Sequence, residues 1–192
     1  PDGVTLTIQP GTIIKGDQTT NGSLVVRMGG RLMAEGTASA PIVFTSNKPA
    51  GSRAPGDWGG VVILGRAPVN FNGGAGNIEG FGTPIPFGGT NPADNSGSLK
   101  YIRIEYAGIA LAPGNEINGL TLGGVGSGTT VEHIQVSNGG DDAFEFFGGT
   151  VNAKYLAANN TTDDMFDTDN GYSGKVQYFF GLSNPNNSDQ AG

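Results

Sequence analysis

Short alternating strands that return at a near-constant spacing constrain this chain more than any other feature. Val4, Leu6 and Ile8 alternate with Thr5 and Thr7 before Pro10-Gly11 ends the run. Leu24 and Val26, Ile42 and Phe44, then Val61 and Ile63 each return about 18 or 19 residues after the pair before. Alternation with β-branching marks strands, and a fixed return marks an internal repeat. No helical window competes, because the apolar spacing is two and Gly or Asn interrupts every candidate.

A repeat of this kind folds as a parallel β-solenoid. One coil cannot bury its apolar face alone, whereas a stack of coils about 4.8 Å apart makes a continuous core. If each return is one coil, the chain forms a single all-β domain over 1–192, a right-handed parallel β-helix of roughly eight or nine coils. Glycine supplies 35 of 192 residues, far above the usual ~7%, as tight corners between strands require. Recurrent Leu, Ile, Val and Phe exclude a flexible linker, and the missing G-x-y period excludes collagen. The rhythm breaks from Asn70 to Gly97, a loop excursion whose Phe71, Phe81 and Phe87 are placed to cover something.

Later in the chain, "DDAFEFFGG" is answered by "DDMFDTDNG". Aligned, Asp141 falls over Asp163, Asp142 over Asp164, Phe144 over Phe166 and Glu145 over Asp167. The phenylalanines then face the core on neighbouring rungs, and Glu145 and Asp167 face out. Asp141, Asp142, Glu145, Asp163, Asp164, Asp167 and Asp169 thus form an acidic ladder, with Lys154 the one base among them. Carboxylates on neighbouring coils repel unless a cation neutralises them. Ca²⁺, which takes six to eight oxygens, is the natural solution, with Asn138, Asn159, Asn160 and Asn170 near enough in sequence to contribute. The plainer reading is that these side chains cap turns by accepting backbone N–H groups. The two remain open.

Charge narrows the partners. With 17 acids against 10 Lys and Arg the formal net charge is -7, so nucleic acid and anionic lipid are not expected to bind. No apolar run approaches the ~20 residues of a membrane helix, so no membrane insertion is expected. Without cysteine there are no disulfides. One histidine, His133, rules out His-rich zinc sites, and the strings "GGAGN" and "GGVGSG" lack the lysine of a phosphate loop. Trp58, Tyr101, Tyr106 and Tyr155 are candidate sugar-stacking aromatics, against the simpler expectation of scattered packing residues. The start at Pro1, without a leader, reads as a piece of a longer protein.

The stretches "LTIQPGTIIKG", "GSLVVRMGGRLMAEGTASAPIVFTS", "GDWGGVVILGRAPVN", "LKYIRIEYAG" and "GGDDAFEFFGGTVNAKYLAANNTTDD" resemble bacterial exported proteins with a right-handed parallel β-helix, of pectate-lyase-like fold. The resemblance implies the fold and a secreted or outer-surface setting in a Gram-negative bacterium, and it implies no activity. The fold also houses polysaccharide-cleaving enzymes, so a glycoside hydrolase or lyase using the acids between 141 and 167 is an alternative. Its weakness is the lack of "GHG" and "RIK" elements and of an arginine near the ladder in sequence. The expectation is therefore a non-enzymatic module with no catalytic residues, structural or weakly carbohydrate-binding. Its partners would be a polysaccharide, a second copy stacked end to end in a filament or surface layer, or a continuation of the parent chain.

Overall fold

Short half-apolar strands need a neighbour on each edge and a core on one face, and coiling the chain supplies both. The computed structural model describes residues 1–112 and 115–184. The first coil contains β1 (Thr5–Ile8), β2 (Ile13–Gly16) and β3 (Leu24–Val26), and the second β4 (Arg31–Glu35), β5 (Ile42–Ser46) and β6 (Val61–Leu64). After a small hairpin of β7 (Gly76–Asn77) and β8 (Pro86–Phe87) comes the long β9 (Gly97–Glu105). A second hairpin, β10 (Ala110–Ala112) with β11 (Asn115–Glu116), leads to β12 (Leu120–Gly123). Two further coils follow, β13 (Thr130–Ser137) with β14 (Phe144–Phe147) and β15 (Asn152–Asn159) with β16 (Asp167–Asp169), before β17 (Val176–Leu182).

All coil strands pair in parallel. One sheet runs β1-β4-β9-β13-β15-β17, with β2 and β5 joining beside β9, and the facing sheet runs β16-β14-β12-β6-β3. The expected parallel β-helix is therefore present. Among the described residues its first sheet has six successive rungs rather than eight or nine coils. The reason is geometric: Leu6 lies over Leu32, Leu24 over Val61 and Ile42 over Ile102. The return that opens the chain is thus a step from one face of a coil to the next. The true coil is seen where nothing is inserted, with Val131 over Ala153 and Glu145 over Asp167.

Inside the coils, equivalent side chains form columns. Ile102, Ile134 and Leu156 make one, and Leu120 and Phe144 extend another from Val61. These residues are buried, each contributing about 1.5–3 kcal/mol. The long strands bend where Tyr101, His133, Tyr155 and Tyr178 take the left-handed conformation, at φ 49°, 56°, 58° and 62°. A second corner repeats it at Tyr106, Asn138 and Asn160, where Asn160 Nδ2 donates to Asn138 Oδ1 at 2.7 Å.

The excursion after β6 and the insertion after β9 fold back as a cover over the outside of the second sheet. Ile78, Ile85, Phe87, Ile109 and Ile117 form a separate apolar cluster there with Val62, Leu64 and Phe147. Phe87 meets Phe147 at 6.1 Å between ring centres and Phe71 at 5.9 Å, and Phe81 packs at the margin. At the two ends of the stack, Val4, Leu6 and Ile13, and Tyr178, Phe180 and Leu182, are exposed.

Candidate metal centre

Strand alternation places the acids. In β14, Phe144 and Phe146 point into the coil core, so Glu145 and Phe147 point outward, beneath the cover. Phe147 joins the apolar cluster, whereas Glu145, only 6% exposed, stands beside Asp167 of the next rung. The turn preceding each strand contributes the paired aspartates. Asp142, 8% exposed, accepts the Asp164 N–H through Oδ1 at 2.9 Å, and its carbonyl accepts the Gly119 N–H at 2.9 Å. The register of Glu145 over Asp167 is the one expected from sequence, and the Phe166 ring packs on Phe146 at 5.1 Å.

Two trios converge here: Asp141 with Asp142 and Asp163, and Asp142 with Glu145 and Asp167, each with carboxylate oxygens within 4.8 Å of one another. Oxygens on opposite sides of a Ca²⁺ ion with bonds of 2.3–2.6 Å are about 4.6–5.2 Å apart. Each trio is therefore close enough together to share one cation. Asn118, 2% exposed, donates from Nδ2 to Glu145 Oε2, while its Oδ1 is buried with no hydrogen-bond partner. Leaving such an oxygen unpaired costs about 1–3 kcal/mol.

The electrostatics are one-sided. Burial, then Asp142, Glu79, Asp167 and Asp141, pushes the Glu145 carboxyl up to about 10. Burial, then Asp141 and Asp163, raises Asp142 to about 8. Burial, then Glu116, Asp163 and Glu79, raises Asp141 to about 7. Partial enclosure, then Asp169, Glu116 and Asp167, raises Glu79 as well. The charges acting most strongly on these groups are all carboxylates. Lys154, the nearest base in sequence, pairs instead with Glu132 at 3.2 Å, and Arg103 lies in the other sheet. An all-oxygen donor set, without Cys or His, suits a hard cation. Among hard cations, Ca²⁺ sheds its water into such a site more readily than Mg²⁺.

Turn capping is present too: besides Asp142, the Asp167 carboxylate accepts the Thr168 N–H at 2.6 Å. Asp169 lies on β16 opposite Phe147. Among the asparagines first considered as ligands, Asn138 and Asn160 bond to each other at a corner, and Asn170 sits at another turn. Sequence reasoning missed Asn118, Glu79 and Glu116. Asn118 could have been found, because Leu120 lies over Phe144, which aligns "NGLTLGG" with "DAFEFFG" and puts Asn118 over Asp142. Nothing in the irregular excursion marks Glu79.

The four aromatics expected as sugar platforms are not brought together. Trp58, 2% exposed, is a core residue stacked on Phe44 at 6.4 Å, its Nε1 donating to the Glu105 carbonyl at 2.8 Å. Tyr106 lies under Arg53 at 6.0 Å. Tyr101 and Tyr155 sandwich His133 at 4.4 and 4.5 Å, nearly parallel, and Tyr178 continues the stack at 4.9 Å. His133 and Tyr155 spend both ring faces on neighbours, which leaves their edges toward the groove beside Thr37, Pro41 and Arg103.

Comparison with known proteins agrees with this architecture. No match was found among curated proteins or among solved structures. A family model described as a pectate-lyase-like β-helix domain matches residues 1–192. Parallel rungs, an enclosed apolar column and a match along the whole sequence make the chain a member of the pectate-lyase-like β-helix family.

Proposed function

We propose that the protein is a structural, non-enzymatic module of the cell exterior whose acidic face binds a calcium-class divalent cation. The observation that carries this reading is the buried, unpartnered Oδ1 of Asn118, a residue whose Nδ2 bonds Glu145 of the trio Asp142, Glu145 and Asp167. Closely spaced carboxylates, with Asp142 and Glu145 buried, together with an idle amide oxygen are the donor types that a Ca²⁺ shell uses. An exterior setting fits, since extracellular modules hold Ca²⁺ at about 10⁻⁴–10⁻³ M. Enclosure favours a structural over a catalytic role. A glycosidase needs its two carboxyls to flank a sugar, yet Glu145 and Asp142 are buried beside the cover.

The test is thermal unfolding of the chelator-stripped chain with added Ca²⁺ or Mg²⁺. Ca²⁺ at a hundred times its Kd should add about 2.7 kcal/mol of stability, and Glu145→Gln should lose that gain. An unfolding curve indifferent to Ca²⁺ would sink the reading.

A further inference from the structure

We infer that Asn72–Gly73, in the excursion after β6, is a site of spontaneous backbone modification, the one Asn–Gly step of the chain that the fold leaves open. In such a step the glycine backbone nitrogen attacks the asparagine Cγ, ammonia leaves, and a five-membered imide forms. Water then opens the imide at either carbonyl, giving aspartate or iso-aspartate. Solvent supplies the water and the base, and nothing is oxidised or reduced. Glycine favours the attack because it turns freely and has no side chain to block the approach. The chain has five such steps, at Asn21, Asn72, Asn118, Asn138 and Asn170.

Four of them are restrained. Asn21, Asn138 and Asn170 are held left-handed, at φ 49°, 56° and 53°, which turns the next backbone nitrogen away from the side chain. Gly22 also gives its N–H to the Asp17 carbonyl at 2.9 Å, and Asn138 Oδ1 accepts from Asn160 Nδ2. The Asn170 carbonyl accepts the Asn70 N–H at 3.0 Å. Asn118 is buried, and the Gly119 N–H is bonded to the Asp142 carbonyl at 2.9 Å. Asn72 has none of these restraints. It is exposed and not left-handed. Among the described residues neither its side chain nor the Gly73 N–H has a hydrogen-bond partner. No atom lies within 4 Å of where a Gly73 Cβ would stand, so the imide has room. A single bond closes the turn, from the Gly74 N–H to the Phe71 carbonyl at 2.9 Å.

Either product adds a carboxylate, and iso-aspartate also routes an extra methylene through the backbone of that turn. The same turn carries Phe71, whose ring meets Phe87 edge-on at 5.9 Å. Conversion of Asn72 therefore unseats Phe71 and loosens the margin of the cover.

Ageing the intact chain at pH 8, with peptide mass spectrometry that separates aspartate from iso-aspartate, reads all five steps at once. Asn72 should convert about tenfold faster than any of the other four, because local opening must precede attack at those. In denaturant, where the restraints vanish, the five rates should converge. Conversion of Asn72 no faster than the rest in the folded chain would overturn the proposal, and so would a tenfold lead that persists in denaturant. Asn72→Gln, whose longer arm demands a six-membered ring, should stay unmodified and keep its hydrogen-exchange protection over 71–78 on ageing, while the wild type loses it. If wild type converted at Asn72 keeps that protection, the unseating of Phe71 is wrong.

Discussion

Asp57 and Glu145 are both buried carboxylates, at 1% and 6% exposure, and the chain treats them oppositely. Around Asp57 it supplies everything a charge needs: Lys48 Nζ at 2.6 Å, Ser46 Oγ at 2.7 Å and the Ala54 N–H at 3.0 Å. Burial works against the charged form there, but the hydrogen bonds from Lys48, Ser46 and Ala54 outweigh it and hold the carboxyl below its ordinary value. Around Glu145 it gathers further acids, and the carboxyl rises to about 10. One site is complete as encoded, and the other, on the proposed reading, takes a cation from solution.

The contrast can be broken from either side. Lys48→Ala should give the largest loss, about 2–3 kcal/mol in chemical denaturation. That is below the ~3–5 of a fully buried pair, because Lys48 is partly exposed, and Ca²⁺ should not rescue it. Glu145→Gln should do the reverse in the stripped protein, raising its melting temperature at pH 8 while abolishing the Ca²⁺ gain of about 2.7 kcal/mol at a hundred times Kd.

Acidity separates the two sites next. Asp141 and Asp142, raised to about 7 and about 8 from 3.8, keep protons in the folded chain that the unfolded chain has already released. Stability of the stripped protein should therefore fall as pH rises from about 4 to 8, and saturating Ca²⁺ should flatten that fall. Asp57 has the opposite sign: its contribution is present above 3.8 and is lost as pH drops through its lowered folded value. A series of thermal melts across pH, with and without Ca²⁺, checks both slopes. The smallest effect belongs to the aromatic stack. Tyr155→Ala should cost about 0.5–1.5 kcal/mol and leave the Ca²⁺ response unchanged in the same melts.

How much of this the sequence disclosed differs along the chain, for physical reasons. Alternation gave away the strands and the solenoid. It miscounted the coils because strands on different faces of one coil look alike, so the step from Leu6 to Leu24 imitated a rung that in fact joins Leu6 to Leu32. In the later, insertion-free coils strand return and rung coincide, and the Asp141–Asp169 half of the site was legible there. The cover's half was not, since Glu79 reaches the acids through a loop whose path no periodicity records. Trp58 misled because an indole in a glycine-rich corner looks exposed, whereas Gly16 leaves the space it fills: a Cβ there would lie 2.5 Å from the Trp58 Cβ.

The most direct measurement is a crystal structure grown with Ca²⁺, with anomalous scattering from Tb³⁺ exchanged into the same site. The account predicts an ion about 2.3–2.6 Å from carboxylate oxygens of Asp142, Glu145 and Asp167 and from Asn118 Oδ1. Density showing these acids bonded only to backbone N–H groups and to one another, with no ion at saturating Ca²⁺, would contradict it.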